Sequence, residues 1–336
     1  MVKSRRSYLR RLVYWLTPNR QAADMHAHQL TQELITQIGG TLNVIRNDLV
    51  RTLAKPGQGG VIVDYHDISF FVNNEATANR AIHALAKEPD TIKWIDQFEG
   101  DATFWDVGAN VGVYSLYAAK IKGANVFAFE PVFFNYYAFN RSIQANALDR
   151  KIRAFAFAIG DATRFDDMYL ADLQDGSALH TYGKPLVDGT SEKFRQAAAC
   201  FSIDDLVEKH GFTAPGHLKI DVDGFESRVV EGALRTLRRP SLKTVMIELP
   251  VSGSEAEVET KILNAGLEFV GRFHRLKNVP ICNHLFARPG EAGRWRKAIY
   301  ESLETTPCAD AVASGGLDRP QALDVPAATA LRAARS

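Results

Sequence analysis

The sequence predicts an α/β fold built on a doubly wound, mostly parallel sheet, and three observations predict it. From Thr103 to about residue 265, short apolar runs alternate with longer amphipathic stretches, a pattern that implies right-handed crossovers and a sheet covered on both faces. Acidic and glycine residues fall directly after the apolar runs, where an open sheet of this kind receives its ligand. Two late apolar segments, 267–273 and 281–287, follow one another with no helix between them and read as an antiparallel pair at one edge.

Taken in order, residues 24–54 predict helix, with Leu30, Leu34, Ile38, Leu42, Ile45, Leu49 and Leu53 at three-to-four spacing across Gly39 and Gly40. Gly57, Gly59 and Gly60 make a turn, 61–63 and 68–72 read as short strands, and helices follow around 76–87 and 90–98. The alternating core begins with strand 103–107 and helix 112–121, then strand 125–129 and helix 133–146, then strand 152–158. Strand 217–222 leads to helix 224–235, and strand 243–248 to helix 255–265. Between 161 and 201 the pattern is irregular and predicts an excursion with strands near 166–171 and 196–201, followed by a short helix over 203–210. The organisation expected is an N-terminal extension over 1–99, a catalytic-sized domain over 100–289, and a loosely ordered tail over 290–336, where Ala, Pro, Gly, Ser and Arg recur without period.

Composition excludes several function classes. With 40 Lys and Arg against 39 Asp and Glu in 336 residues the net charge is +1, so no global field draws nucleic acid, and none is expected as a partner. Cys200, Cys282 and Cys308 lie too far apart for a disulfide framework or a thiolate zinc site, and a cytoplasmic setting is expected. No apolar run approaches a membrane span. Residues 3–20, KSRRSYLRRLVYWLTPNR, interleave arginines with Tyr8, Leu9, Leu12, Val13, Trp15 and Leu16. Such a basic amphipathic helix suits docking on its own domain, contact with a protein partner, or peripheral contact with an anionic inner membrane surface.

The chemistry-bearing stretch is ATFWDVGANVGVYSLYAAKI, residues 102–121. Gly108 and Gly112 bracket Ala109–Val111 between a strand and a helix, where a ligand can approach the backbone and unpaired N–H groups. A pyrophosphate loop of the type G-x-G-x-x-G is not matched, and Asp106 ahead of the turn suits a ligand with a cationic end. Asn110 is placed to orient that end. Glu130, at the end of NVFAFEP, stands where a carboxylate can accept both hydroxyls of a ribose. Gly160 and Asp161, in FAIGD, follow the third strand, where an adenine edge would lie, with Ile159 beside its ring.

These three signals together resemble class I S-adenosylmethionine-dependent methyltransferases. HLKIDVDGFESRVVEGA, residues 217–233, followed by TVMIELP, 244–250, is similar to the FkbM-type family, whose pattern runs Lys-Ile-Asp-x-Glu-Gly-x-Glu with a helix ending Gly-Ala. CFSIDDLVEKHG, 200–211, also resembles that family's segment before the fourth strand. Asp223 stands where the family usually has Glu, one methylene longer. The resemblance spans about residues 100–290 and implies a Rossmann-like seven-stranded sheet with an antiparallel edge, S-adenosyl-L-methionine as cofactor, and methyl transfer to a hydroxyl.

Within that expectation a base must take the hydroxyl proton. Asp221, at the end of the fourth strand, is the leading candidate, with Lys219 on its strand face to orient it or lower its pKa. Glu248, at the end of the fifth strand, faces the same crevice. Glu226 fits a first-turn helix stabiliser as well as a catalytic group, and Asp223 is similarly divided. Asp221, Asp223 and Glu248 have the chemistry for a divalent cation, but paired acids at strand ends are common without one, and no metal is expected. His180 and His217 are possible bases, of which His180 alone is kept in reserve.

Acceptor recognition is expected from DLQDGSALHTYG, 172–183, through Ser177 and His180, and from Asp223 after the fourth strand, with groups suited to a sugar or glycan; a polyketide or lipid-linked hydroxyl is the other acceptor class. Phe133, Phe134, Tyr136 and Tyr137 read as helix packing. Two other functions stay open: a non-catalytic scaffold of the same fold, and a nicotinamide-dependent oxidoreductase, for which neither the phosphate loop nor a hydride-transfer pair is evident.

Overall fold

The computed structural model describes residues 40, 41, 44, 45, 47–50, 60–178, 180–184, 192–250, 255–274 and 281–300. The basic stretch 3–20, most of the 24–54 helix and residues 301–336 lie outside them. Residues 40, 41, 44, 45 and 47–50 are helical, as expected. Among the described residues no helix is long and apolar enough to cross a membrane.

A hairpin of β1 (Val61–Tyr65) and β2 (Ile68–Val72) is followed by α1 (Glu75–Ile82) and α2 (Pro89–Asp96). Helix α1 starts where Asn74 and Thr77 form a reciprocal capping box, satisfying two otherwise orphaned N–H groups. Helix α2 carries Pro89 in its first turn, where a missing N–H costs nothing.

The central sheet contains β3 (Thr103–Val107), β4 (Asn125–Phe129), β5 (Ile152–Phe155), β10 (His217–Ile220), β11 (Thr244–Pro250), β12 (Glu268–His274) and β13 (Ile281–Ala287). Their spatial order is β12-β13-β11-β10-β3-β4-β5, with β13 antiparallel to both neighbours and the remaining pairs parallel. Helices α3 (Val113–Lys122) and α4 (Phe133–Ala145) follow β3 and β4. The chain order reverses between β3 and β10, so the crevice above these two carboxyl ends is the switch point where such a sheet binds ligand. Predicted and observed architectures agree here.

Alternation along β3 divides the core. Phe104 turns to the face covered by α1, α2, α3 and the hairpin, while Trp105 and Val107 turn to the opposite face. Trp94 meets Phe98 and Phe104 edge-to-face at 4.9 and 5.7 Å, contacts worth about 0.5–1.5 kcal/mol each beyond burial.

The excursion forms a second sheet from β6 (Ala158–Ile159), β7 (Arg164–Leu170), β8 (Thr181–Tyr182) and β9 (Phe194–Phe201), in the order β6-β9-β7-β8. The strand expected over 152–158 is therefore two strands. β5 stays in the central sheet beside β4, whereas β6 leaves it to pair with β9.

After α5 (Ile203–Glu208), the helix expected over 224–235 is broken into α6 (Glu226–Glu231) and α7 (Leu234–Leu237). The cause is buried Asp204: its N–H takes the Gly232 carbonyl, and its carboxylate accepts the N–H groups of Arg235 and Thr236, starting a new helix there. The last elements are α8 (Glu255–Asn264) and, beyond β13, α9 (Ala292–Tyr300). The tail expected from 290 thus begins with a helix. Trp295 and Ile299, four residues apart, supply a buried face that packs toward α2 and β12.

Candidate active site

The turn after β3 is shaped by backbone no other residue type adopts as readily. Gly108 has φ +85°, and a Cβ there would lie 1.8 Å from the Asp221 carbonyl oxygen, so the β3 and β10 tips touch through main chain alone. Gly112 has φ +80°, and a Cβ would enter the Phe139 ring. Between them Asn110 also takes positive φ, which asparagine tolerates.

Asn110 joins the predicted parts. Its N–H donates to Glu130 Oε2 at 2.8 Å, and its Nδ2 donates to the Ser177 carbonyl at 2.7 Å. Glu130 accepts a second backbone bond at Oε1, from Val132 N–H at 2.9 Å. Burial pushes its carboxyl up to about 7 despite these donors. The Glu130 cleft is walled by Gly108, Val132, Ala158, Ile159, Met168 and Phe225, with Asp221 and Asp223 at one end. It combines a carboxylate with an apolar slot.

A second cleft opens on the other side of Asp221. It is lined by Lys219, Asp221, Asp223, Glu248, Glu88 and Tyr114, with Arg80, His83 and Lys87 at its margin. Gly108, Asn110, Asp221 and Asp223 border both clefts, so a group passed from one ligand to another would cross at Asp221. Lys219 is buried and donates from Nζ to Asp221 Oδ2 at 2.7 Å. Burial works against its charge, yet Asp221, Glu88 and Asp106 outweigh it and hold the ammonium above its ordinary pKa. The ammonium also lies 4.9 Å from the Tyr114 ring centre. Glu88, Asp221 and Glu248 each bring an oxygen within 4.8 Å of the others. Glu88, from the cap of α2, thus takes the place expected of Asp223 in this acidic group.

Other predicted residues sit elsewhere. Asp106 borders neither cleft; it is sealed beneath them, accepting from Ser115 Oγ at 2.6 Å and facing Lys219 across the β3–β10 pair. Its carboxyl is raised by burial, against the pull of Lys219. The sequence places it ahead of the turn, where it would meet a cationic ligand end; in the fold it is buried in the layer below both clefts. Asp161 also borders neither cleft. Arg164 and Arg228 each donate to one of its oxygens at 2.6 Å, and although burial opposes them, the guanidiniums hold its pKa below the usual range. Gly160 is wedged between Cys200 and the Phe225 ring; Ala158 and Ile159 line the slot where the Gly160–Asp161 turn is expected to. Asp223 stands at φ +53°, exposed at the junction of the clefts.

His180 is buried, and burial lowers its pKa to about 4. Its Nδ1 accepts from Ala171 N–H, so Nε2 carries the proton and donates to Ser177 Oγ at 3.1 Å. A ring fixed in this way positions the loop and is not a base. His217 is in the core, stacked on Phe98 at 3.9 Å and bonded to Thr244 Oγ1, and lines neither cleft. Glu226 accepts from Val222 and Gly224 N–H groups and shapes the loop after β10. Glu88, Arg80, His83 and Lys87 were not legible from motif spacing, because α1, α2 and the turn between them reach the site only through the packing of the extension, while Tyr114, two residues after Gly112 in α3, reads from its position only as an amphipathic helix residue.

Residues 106–268 match the family model described as Methyltransferase FkbM domain. The hexuronic acid methyltransferase AglP of Haloferax volcanii is 29% identical over 202 residues, 56% of this chain and 78% of that protein. Among solved structures, the chain is similar to TYW2 of M. jannaschii in complex with AdoMet, at TM-score 0.39 and 10% identity over 68% of this chain and 87% of that one. A TehB-like SAM-dependent methyltransferase from Corynebacterium glutamicum aligns at TM-score 0.35 and 11% identity over 59% and 87%.

Proposed function

The chain carries an FkbM methyltransferase domain over residues 106–268, and from that premise we propose that it is an S-adenosylmethionine-dependent O-methyltransferase acting on a hydroxyl of a saccharide. The observation that carries the reading is Glu130, held by two backbone N–H groups beside an apolar slot. Ionised, it accepts two ribose hydroxyls, while Val132, Ile159 and Phe225 enclose a purine-sized apolar surface. The donor set fits a nucleoside with a cationic arm directed toward Asp221. When bound, S-adenosylmethionine supplies an electrophilic methyl on a sulfonium.

The protein's own groups do the rest. Asp221 orients the acceptor hydroxyl and takes its proton at Oδ1, with Lys219 fixing Oδ2. Glu88 and Glu248 add negative charge around the same point, which favours a cation and a proton-bearing oxygen there. Gly108 and Asn110 hold the ligands in register, where proximity removes much of the barrier. A saccharide acceptor is supported by the similarity to a protein named for hexuronic acid, and Arg80, His83 and Lys87 at the cleft margin match an acidic sugar.

The test is calorimetric. S-adenosylhomocysteine should bind the wild-type protein, and Glu130→Ala should weaken it roughly 100-fold, the loss of charge-assisted bonds to two hydroxyls. Equal affinity for both proteins would remove the reading.

A further inference from the structure

The largest of the three clefts around the site adjoins the Glu130 cleft, with which it shares His180, Tyr182, Val222, Asp223 and Phe225, and continues past it along Arg164, Asp166, Thr181, Ser227 and Arg228. It has a volume of about 480 Å³, against about 100 and 80 Å³ for the two clefts meeting at Asp221. One wall is the loop and first turn after β10, from Val222 to Arg228; the other is the excursion sheet, through Arg164, Asp166 and the segment from His180 to Lys184. It shares Asp223 with both clefts, so it runs outward from the point of transfer.

We infer that this cavity is a subsite for further sugar units of a saccharide chain, so that the acceptor is an oligosaccharide whose reacting unit lies at Asp221. The inference rests on the methyltransferase reading above and names the size of its acceptor. The lining is polar and of both signs, with hydroxyls at Thr181 and Ser227, and it contains one half-buried aromatic wall, Phe225. A lipid tail brings no hydrogen-bonding groups to such a lining, whereas a sugar offers donors and acceptors along its edge.

The donors are fixed in advance. Arg164 and Arg228 grip opposite oxygens of Asp161 at 2.6 Å, and the Arg164 guanidinium also lies 5.6 Å from the Tyr182 ring centre. Each guanidinium has more N–H groups than these contacts use, so ordering costs little when a ligand arrives.

Galacturonic acid and its di-, tri- and tetrasaccharides serve as probes, titrated into the protein saturated with S-adenosylhomocysteine. The expected result is an affinity that rises at least about tenfold from monosaccharide to trisaccharide. In Ser227→Trp, an exposed position on the cavity wall, that rise should vanish while S-adenosylhomocysteine affinity stays as in wild type, which also certifies the fold. Affinity independent of chain length, or a rise that persists in Ser227→Trp, overturns the subsite and leaves the methyltransferase reading standing. Failure of every sugar to bind overturns the subsite and the saccharide acceptor together, and failure of S-adenosylhomocysteine to bind overturns the reading beneath both.

Discussion

Lys219 Nζ lies 2.7 Å from Asp221 Oδ2, two residues apart at the tip of one strand, with the lysine buried and the aspartate facing both clefts. Same-face alternation brings the pair together, and burial on the lysine side gives it weight. Replacing Lys219 with Met keeps length but removes the cation from among Asp221, Glu88 and Asp106. The expected outcome is a stability loss of about 3–5 kcal/mol, read by denaturant unfolding, with kcat reduced beyond what the unfolded fraction explains.

Asp221→Asn should behave differently. The side chain keeps its shape and loses its capacity to take a proton, so kcat should fall about 10²–10⁴-fold. S-adenosylhomocysteine affinity, measured by calorimetry, should change far less. A comparable loss in both would assign Asp221 to cofactor binding alone.

Glu130 titrates at about 7 in the folded protein because it is buried. Below that pH it is protonated and loses one acceptor site; above it the carboxylate accepts both ribose hydroxyls. S-adenosylhomocysteine affinity should therefore climb between about pH 5.5 and 8 and level off. In Glu130→Gln the profile should be flat over that range and lower at its alkaline end.

His217 has its pKa lowered to about 3, by burial first and then by Lys243 and Arg294. The unfolded chain binds a proton that the folded one refuses, so its contribution to stability is complete above about 6.5 and is lost as pH falls below that. At about pH 5 the wild type forfeits roughly 2 kcal/mol through this residue. His217→Gln, less stable at neutral pH for want of the Phe98 stack, should close the gap as the pH drops. Thermal melts of the two proteins at several pH values give the comparison.

Gly112→Ala carries two separable costs: about 1–2 kcal/mol for left-handed backbone, and a clash with Phe139. Adding Phe139→Leu should recover the second and not the first. Full recovery of the melting temperature by the double variant would show that backbone conformation is not what glycine supplies here.

What the sequence made legible follows from range. Strand-to-helix turns are local, and so Gly108, Asn110, Gly112 and Glu130 stood out by position after apolar runs; Gly108, Asn110 and Glu130 line one cleft, while Gly112 packs against the Phe139 ring. The Lys219–Asp221 pair followed from alternation. Asp161 was misread because one of its arginines is in α6, 67 residues away, and no local pattern shows a side chain turned from the cleft toward a remote cation. Asp106 was read one layer too close because strand alternation fixes a face and not a depth. His217 reads in the sequence as a possible base, whereas in the fold Phe98, Trp94 and Thr244 close around it. Glu88 had no signal at all, since only the docking of the extension brings α2 against the central sheet. The break between α6 and α7 depends likewise on Asp204, distant in sequence from the bonds it makes.

Residues 175–177 of the excursion are held almost entirely by polar side chains from other segments. Asn73 and Asn74 donate to Asp175, Arg80 donates to the Gly176 carbonyl, Asn135 accepts from the Gly176 N–H, and Asn110 and Asn135 both donate to the Ser177 carbonyl. Because these bonds converge on so short a span, releasing one residue strains the bonds of its neighbours. The place of Ser177 beside the Glu130 cleft is therefore set from outside the excursion, by four asparagines and one arginine.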